Sequence, residues 1–362
     1  MRGRHVFRRG EGTNGIETME TLEPFRHDIA LPSTRPLPTR GPVSDWLCRH
    51  LELPVHELPD APPLADHPLG GEDSGLALYL CYELHYRGLP GVAEEWEWNP
   101  SLLRFRERLE QAFMDGIFEA IGTPAVDVSA ETMRDELLAL TTGADGPSLS
   151  AHMATEGTAD EMREFCVHRS LYQLKEADPH SWAIPRLDGR AKAALVAIQV
   201  GEYGDGRAER VHAHLFARTM TELGLDSRYG AYLPIVPGLT LATVNLVSLF
   251  GLHRRWRGAL IGHLALFEMC SVGPMGSYAS ALRRLGYGAT ATDFYDEHVL
   301  ADEVHQVVAL DEMVGGLAES EPALAGSVVF GARAVKLVEQ RLTGHLLGSW
   351  REGRTSLLRP LR

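Results

Sequence analysis

One stretch in the C-terminal third of the chain, residues 294–306 with the sequence FYDEHVLADEVHQ, carries three side chains of the types that bind transition metals. At roughly 100° per residue, His298, Asp302 and His305 fall within about 60° of one another on a helix. Nitrogen and oxygen donors of this kind suit iron, manganese or zinc better than calcium or magnesium. Because neighbouring residues are acidic as well, the alternative is an amphipathic helix with a solvated polar face.

Composition bounds the class of protein. The 362 residues are 44% hydrophobic and 23% charged, which fits a soluble globular protein of one large domain or two smaller ones. The net charge of −14 argues against nucleic acid as the main partner, because phosphate binding needs a basic surface. The four cysteines are scattered without a close pair, and no apolar run follows the basic N-terminus, so we expect a cytoplasmic location.

Residues 232–252 carry no charged side chain and require a comparison with a membrane span. Pro234, Pro237 and Gly238 break a helix there, and the clean apolar remainder is shorter than the ~20 residues that a span needs. We therefore predict a buried central helix and no membrane partner.

Helical spacing of apolar residues recurs along most of the chain, and no alternating run is long enough for a strand. We predict an all-α antiparallel helix bundle, with a disordered segment at 1–40, a helical N-terminal region at 41–145 packed on the core, a helical-bundle core at 146–350 and a tail at 351–362. The predicted helices cover 44–47, 74–86, 100–121, 130–141, 159–176, 189–202, 207–224, 239–250, 257–269, 275–285, 290–315 and 321–347.

Other carboxylates lie on apolar backgrounds, where a charge is costly unless it is paired or bound to metal. Glu268, in HLALFEMCSVG, is the clearest example. Glu176 and Glu202 each close a predicted helix, and a solvated helix end is the alternative for both. Glu209 and His212 share a face with Glu202 if the helix continues through two intervening glycines.

Two helices each place a carboxylate and an imidazole one turn apart, as Glu209-x-x-His212 and Asp302-x-x-His305. Two such helices, together with single glutamates from two others, are how helical bundles hold a carboxylate-bridged pair of iron ions. The candidate single glutamates are Glu176 and Glu268, with Glu202 in reserve.

The order and spacing of these segments resemble the haem-oxygenase-like diiron oxidase superfamily, also named the iron-containing redox enzyme family, over about residues 145–320. The last ligand helix of that family carries His, Asp and His, matched by His298, Asp302 and His305. Glu209 occupies the place of an extra carboxylate found in some members, including those that oxidise nitrogen. The resemblance implies a haem-oxygenase-like bundle and the metal ligands Glu176, Glu202, Glu209, His212, Glu268, His298, Asp302 and His305.

The resemblance further implies an oxidoreductase with two Fe(II) ions per chain and O2 as co-substrate. We expect it to oxidise a small amine- or carboxylate-bearing metabolite in secondary metabolism, by desaturation, C–C cleavage, hydroxylation or N-oxygenation. An external electron donor and a homodimer are compatible with the sequence. The alternatives are a ferritin-like protein that oxidises or binds iron, and a metal-free helical bundle for cofactor biosynthesis or binding, in which Glu176, Glu268 and His305 would not converge.

Overall fold

The computed structural model describes residues 37–142 and 146–361, and all regular secondary structure within those ranges is helical. The all-α prediction is therefore confirmed. The predicted disorder of residues 1–40 falls almost entirely outside the described residues. Two of the four described residues of that segment pack on the rest of the chain, since Leu37 is buried and Arg40 pairs with Glu72 at 2.6 Å.

The N-terminal helices are α1 (Pro42–Leu51), α2 (Glu72–Glu83), α3 (Pro100–Ile121) and α4 (Ala130–Thr142). Helix α1 begins earlier than predicted, because Pro42 occupies its first turn, where a missing N–H costs nothing. Its first free amides donate to Asp73 of α2, from Val43 at 2.8 Å and from Ser44 at 2.7 Å. A carboxylate from a neighbouring helix thus caps the start of α1.

The remaining helices form the bundle. They are α5 (Leu149–Thr155), α6 (Ala159–Gln173), α7 (Asp178–Ser181), α8 (Gly189–Glu202), α9 (His212–Glu222), α10 (Gly238–Leu252), α11 (Arg257–Arg284), α12 (Ala289–Val307), α13 (Gly315–Ser320) and α14 (Ala325–Arg351). A π-helix, Val308–Val314, directly continues α12. Such π segments are rare and frequently mark functional sites.

Helix α11 differs from its prediction as two separate helices. It runs through Pro274 as one helix, with a bend of 52° between Arg254–Cys270 and Val272–Arg284. Proline has no N–H to give to the carbonyl four residues earlier, and its ring pushes that carbonyl away, so the helix bends without ending. By length and composition alone, this bent pair meets the criteria for a membrane span. No single helix in the two described ranges meets them.

One cluster of buried apolar side chains extends from Leu37 to Leu357 and includes residues of both the N-terminal helices and the bundle. The uncharged helix α10 lies within it and is buried along most of its length, as predicted. Residues after α14 also pack back on the bundle, because Ser356 donates to Glu164 at 2.6 Å and Leu357 is buried.

Candidate metal centre

Seven of the eight predicted ligands come together in two groups that share one residue. In the first group, donor atoms lie within 4.8 Å of one another on Glu176, Glu202, His212 and His298. In the second group the same limit joins Glu202, Glu268, Asp302 and His305. Glu202 belongs to both groups, so the seven residues form one continuous cluster of four carboxylates and three imidazoles.

Five helical segments supply these residues. Helix α12 presents His298, Asp302 and His305 on one face, as the spacing predicted, and α11 contributes Glu268 from the turn before its bend. The other three lie at helix termini: Glu176 follows α6, Glu202 ends α8 and His212 begins α9. Because these three residues lie at helix ends, the chain can change direction sharply beside the cluster.

The connection between Glu202 and His212 is not the continuous helix that the shared-face prediction required. Gly204 has φ +66°, and a Cβ there would lie 2.5 Å from the backbone of Arg210. This close approach folds residues 203–210 into a tight loop, which returns His212 Nδ1 to within 2.7 Å of Glu202 Oε2. The two ligands therefore meet through a reversal of the chain.

Glu209 is the one predicted ligand that the structure does not bring to the cluster. It lies exposed on a short 3₁₀ helix, Ala208–Arg210, and belongs to neither group. The neighbouring Arg210 forms an ion pair with Glu297, which fastens this segment to the outer side of α12. A ligand role for Glu209 stays a prediction that this placement does not support.

Gly201 makes room for the second group. A Cβ on Gly201 would stand 2.9 Å from Nε2 of His305. Real Cβ atoms do not approach so closely, so a side chain at this position would push the imidazole away. The absence of a side chain beside Glu202 lets α8 and α12 bring their ligands together.

The backbone after Glu176 adopts a rarely populated conformation. Ala177 has φ +72°, in the left-handed region that non-glycine residues avoid. The Gln199 side chain on α8 donates from Nε2 to the Ala177 carbonyl at 3.0 Å. Strained residues persist only where the surroundings hold them, and here the hydrogen bond holds the turn that carries Glu176.

The orientation of His298 is set by its own helix. Its Nδ1 lies 2.8 Å from the carbonyl oxygen of Phe294, which only accepts hydrogen bonds, so Nδ1 carries a proton. Nε2 then faces the cluster, 3.6 Å from Glu176 Oε1. This is the arrangement by which proteins orient a metal-binding imidazole through its second nitrogen.

His305 faces three carboxylates from three helices. Its Nδ1 lies 3.3 Å from Glu268 Oε2, 3.5 Å from Asp302 Oδ1 and 3.8 Å from Glu202 Oε1. In the second group, a cation would therefore lie between Nδ1 of His305 and these three carboxylate oxygens.

Burial and mutual charge shift the titration of the cluster. Burial raises the pKa of Glu176, and raises that of Glu268 to about 8. Burial acts to lower the pKa of His298 and His305, but the carboxylates beside them outweigh it and raise both, that of His305 to about 10. Burial would also raise the pKa of Glu202, yet the imidazoles around it lower it to about 2. In the metal-free protein, bound protons therefore offset the negative charge of the crowded carboxylates.

Five buried cluster atoms form no hydrogen bond of normal geometry among the described residues, although the two imidazole nitrogens lie close to carboxylate oxygens: Glu176 Oε2, His212 Nδ1, Glu268 Oε2, Asp302 Oδ1 and His305 Nδ1. Buried polar atoms are normally satisfied, because an orphaned one costs roughly 1–3 kcal/mol. Several such buried atoms converge here, and all of them are carboxylate oxygens or imidazole nitrogens. This donor set fits iron, manganese or zinc.

The cluster closes one end of a cavity of about 300 Å³, which we call the inner cavity. Its walls are largely aromatic and aliphatic, among them Phe165, Tyr172, Phe216, Leu264, Phe267, Tyr278 and Tyr295. Sequence reasoning missed the polar residues that line it, Arg169, Gln173, His180, Gln199 and Glu339. Each is a polar residue on a helix or at its end, which is also how surface residues look, so the sequence carried no distinguishing signal.

The charged pair in this wall is well defined. Arg169 donates two parallel hydrogen bonds to Glu339, at 2.9 and 2.6 Å. Burial acts to lower the pKa of Arg169, but Glu339 outweighs it and raises the pKa. The bidentate pair joins α6 to α14 beside the cavity and keeps both charges mutually neutralised.

Comparison with known proteins adds two findings. Residues 163–340 match the family model described as iron-containing redox enzyme, a range that contains all seven clustered residues. A nitrosourea synthase from Streptomyces achromogenes subsp. streptozoticus is 26% identical over 253 residues, which are 64% of this chain and 51% of that protein. The chain thus spans about half the length of this curated relative.

Proposed function

Because this protein belongs, through residues 163–340, to the iron-containing redox enzyme family, we propose that it is a non-haem diiron oxidase or oxygenase. The haem-oxygenase-like bundle implied by the resemblance is confirmed with the family. Family and donor set together support iron and an oxidoreductase. Two Fe(II) ions per chain, O2 as co-substrate and a small amine- or carboxylate-bearing substrate are what we propose beyond that.

The sharing of Glu202 carries the proposal. One carboxylate reaches both groups, Oε2 toward His212 at 2.7 Å and Oε1 toward His305 at 3.8 Å. Paired metal ions in enzymes lie roughly 3.5–4 Å apart, a separation that a bridging carboxylate spans. The four clustered carboxylates would also neutralise two divalent cations, which is a better charge match than a single ion gives.

Each part of the chain has a role in this proposal. The first group would hold one iron and the second group the other, with Glu202 between them. Ferrous iron supplies the electrons that O2 chemistry needs. The chain orients His298 through the Phe294 carbonyl and holds Glu176 through the Gln199–Ala177 hydrogen bond. The apolar walls of the inner cavity keep bulk water from the reacting groups.

The inner cavity bounds the size of the part of the substrate that reacts at the cluster. Its volume of about 300 Å³ lies at the lower end of the range for small-molecule sites, about 300–1,000 Å³. Similarity to a nitrosourea synthase supports a place in secondary metabolism and keeps N-oxygenation among the outcomes, beside desaturation, C–C cleavage and hydroxylation. The cytoplasm stays our expected compartment; all four cysteines lie in the described ranges and none is bridged.

Anaerobic titration of the metal-free protein with Fe(II), followed by an oxygen pulse and rapid-mixing spectroscopy, tests the proposal. We expect two irons per chain and a transient visible band that scales with them. Glu268→Gln should abolish the band, whereas Glu303→Gln, an exposed acid on α12, should leave it unchanged. Failure to bind iron stoichiometrically would contradict the proposal and favour the metal-free alternative. Iron uptake far beyond two per chain would favour the ferritin-like alternative.

A further inference from the structure

A second cavity, of about 350 Å³, lies against the inner cavity, and we call it the outer cavity. Its walls come from the end of α4, from the segment before and into α5, and from the middle parts of α11 and α14. They include Leu149, Leu266, Val335, Gln340, Thr343 and Gly344. None of the clustered metal-binding residues lines it, so it is a separate space with no assigned role.

The two cavities have a common wall. Phe267, Cys270, Pro274, Tyr278 and Glu339 line both of them. The two cavities are therefore adjacent, and a ligand that crossed this wall would pass from one to the other.

The common wall lies at the bend of α11. Before the bend, residues such as Leu264 and Ala265 are buried, and after it Tyr278 and Ala279 are buried again. Between them the helix is partly exposed, and Cys270 is exposed to solvent. Near Pro274, which interrupts the helical hydrogen bonding, α11 thus packs less closely on the core. The region over both cavities is more open for that reason.

The chemistry of the outer cavity indicates what it would hold. Apart from Lys336, Glu339 and Gln340, its larger side chains are apolar, and its two charged groups are already engaged. Lys336 donates to the Leu140 carbonyl at 3.0 Å, and Glu339 receives both hydrogen bonds of Arg169. An uncharged, mainly apolar ligand segment would bury these walls without leaving a charge unpaired.

We propose that the outer cavity admits the substrate and holds its distal, mainly apolar part, while its polar reacting end lies at the metal cluster. The substrate would accordingly be an elongated small molecule that occupies both cavities, which together fall well within the range of ligand-site volumes. This inference rests on the proposed function, because it takes the ligand to be the substrate of the metal centre.

The test uses two probe series, linear alkylamines and linear alkanoates of about four to twelve carbons, titrated calorimetrically into the anaerobic Fe(II)-loaded protein and into the metal-free protein. Each methylene that enters an apolar cavity should raise affinity roughly fourfold. Gly344→Trp should fill the outer cavity, because Gly344 lines it and, apart from the adjoining turns of α14, no atom of the described residues lies within 4 Å of a Cβ there. In this variant the affinity should stop rising at a shorter chain length.

Gly348→Trp is the matched control. Gly348 lies one turn further along α14, also has no neighbour within 4 Å among the described residues, and does not line either cavity. It should keep the full chain-length dependence. Equal dependence in Gly344→Trp and Gly348→Trp would overturn the inference.

Cys270 provides a second test, since the other three cysteines are buried. Labelling with a bulky maleimide should abolish binding of the long probes, whereas a methylthio group should weaken it only slightly. Cys270→Ser should make the protein insensitive to both reagents. Unchanged binding after complete bulky labelling would also overturn the inference.

The two proposals fail in different ways. A protein that binds two irons and forms the oxygen-dependent band, but shows no dependence on probe length, loses the outer subsite and keeps its proposed function. A protein that binds no iron loses the proposed function, and the inference about its substrate fails with it.

Discussion

Oε2 of Glu202 lies 2.7 Å from Nδ1 of His212, although Glu202 ends one helix and His212 begins the next. The reversal that joins them depends on Gly204, whose positive φ and close contact with Arg210 exclude any side chain. The geometry leaves the other oxygen of Glu202 facing the second group. The carboxylate at a helix end therefore connects the two halves of the cluster.

Replacing Glu202 should affect both metal positions, whereas replacing a ligand of one group should affect one. We expect Glu202→Gln to weaken both binding events in an anaerobic Fe(II) titration, each by tenfold or more. His305→Ala should weaken only one, because His305 belongs to the second group alone. If the two variants gave the same binding isotherm, Glu202 would not be shared.

Gly201→Ala should disturb the second group without removing a ligand. The new Cβ would lie 2.9 Å from His305 Nε2, so the imidazole must move. Loss of ligand positioning typically costs 10–100-fold in metal affinity, and we expect about that loss at one of the two positions. Gly273→Ala on α11 is the control, because no atom of the described residues lies within 4 Å of its Cβ. A wild-type isotherm for Gly201→Ala would show that His305 does not bind metal from this position.

Residue patterns indicated only part of the cluster, where the chemistry of a side chain conflicts with its surroundings, and the full set was implied by the resemblance to the family. Glu268 stands alone in an apolar helix, and the spacing of His298, Asp302 and His305 survives intact because α12 is regular across them. Helical periodicity predicts which residues share a face of a helix, and these three residues all lie on one face of α12. The same periodicity failed for Glu209, since the helix that it assumed ends at Glu202.

Features that depend on contacts between segments far apart in the chain could not be predicted from the sequence. The continuity of α11 through Pro274 is an example, because packing on both sides of the bend outweighs the lost hydrogen bond. Arg169 is another, because nothing near it in the sequence indicates that Glu339 will lie opposite. Local patterns specify elements, whereas the cavity walls arise only when the elements pack.

A buried ion pair joins α2 to the chain just before Glu176, and breaking it should destabilise the fold. Lys175 Nζ lies 3.2 Å from Glu83 Oε2, and the side chains are 1% and 3% exposed. Lys175→Met leaves Glu83 buried with its charge uncompensated, which should cost about 3–5 kcal/mol of unfolding free energy in urea titrations. Adding Glu83→Gln should restore part of it. Arg354→Met removes an exposed pair with Glu352 and should change little.

Acid should destabilise the protein through buried neutral histidines. Burial lowers the pKa of His168 to about 3, and both ring nitrogens pair with hydroxyls, of Thr240 at 2.6 Å and Ser356 at 2.9 Å. Between the unfolded pKa of about 6.5 and the folded pKa, only the unfolded state gains the proton, so stability falls as pH falls.

The slope from one such histidine approaches about 1.4 kcal/mol per pH unit in that window. His168→Gln should be less stable at neutral pH but should lose stability less steeply on acidification. Urea midpoints of the metal-free proteins, compared from pH 7 to pH 5, measure the difference. Parallel slopes for wild type and variant would show that His168 is protonated in the folded state.

The central claim is that one cluster holds two irons on either side of Glu202. Anomalous X-ray diffraction at the iron edge, on crystals of the anaerobically Fe(II)-loaded protein, tests it most directly. We predict two peaks roughly 3.5–4 Å apart, one against His212 and His298 and the other against Asp302 and His305. A single peak, or iron bound away from these residues, would contradict it.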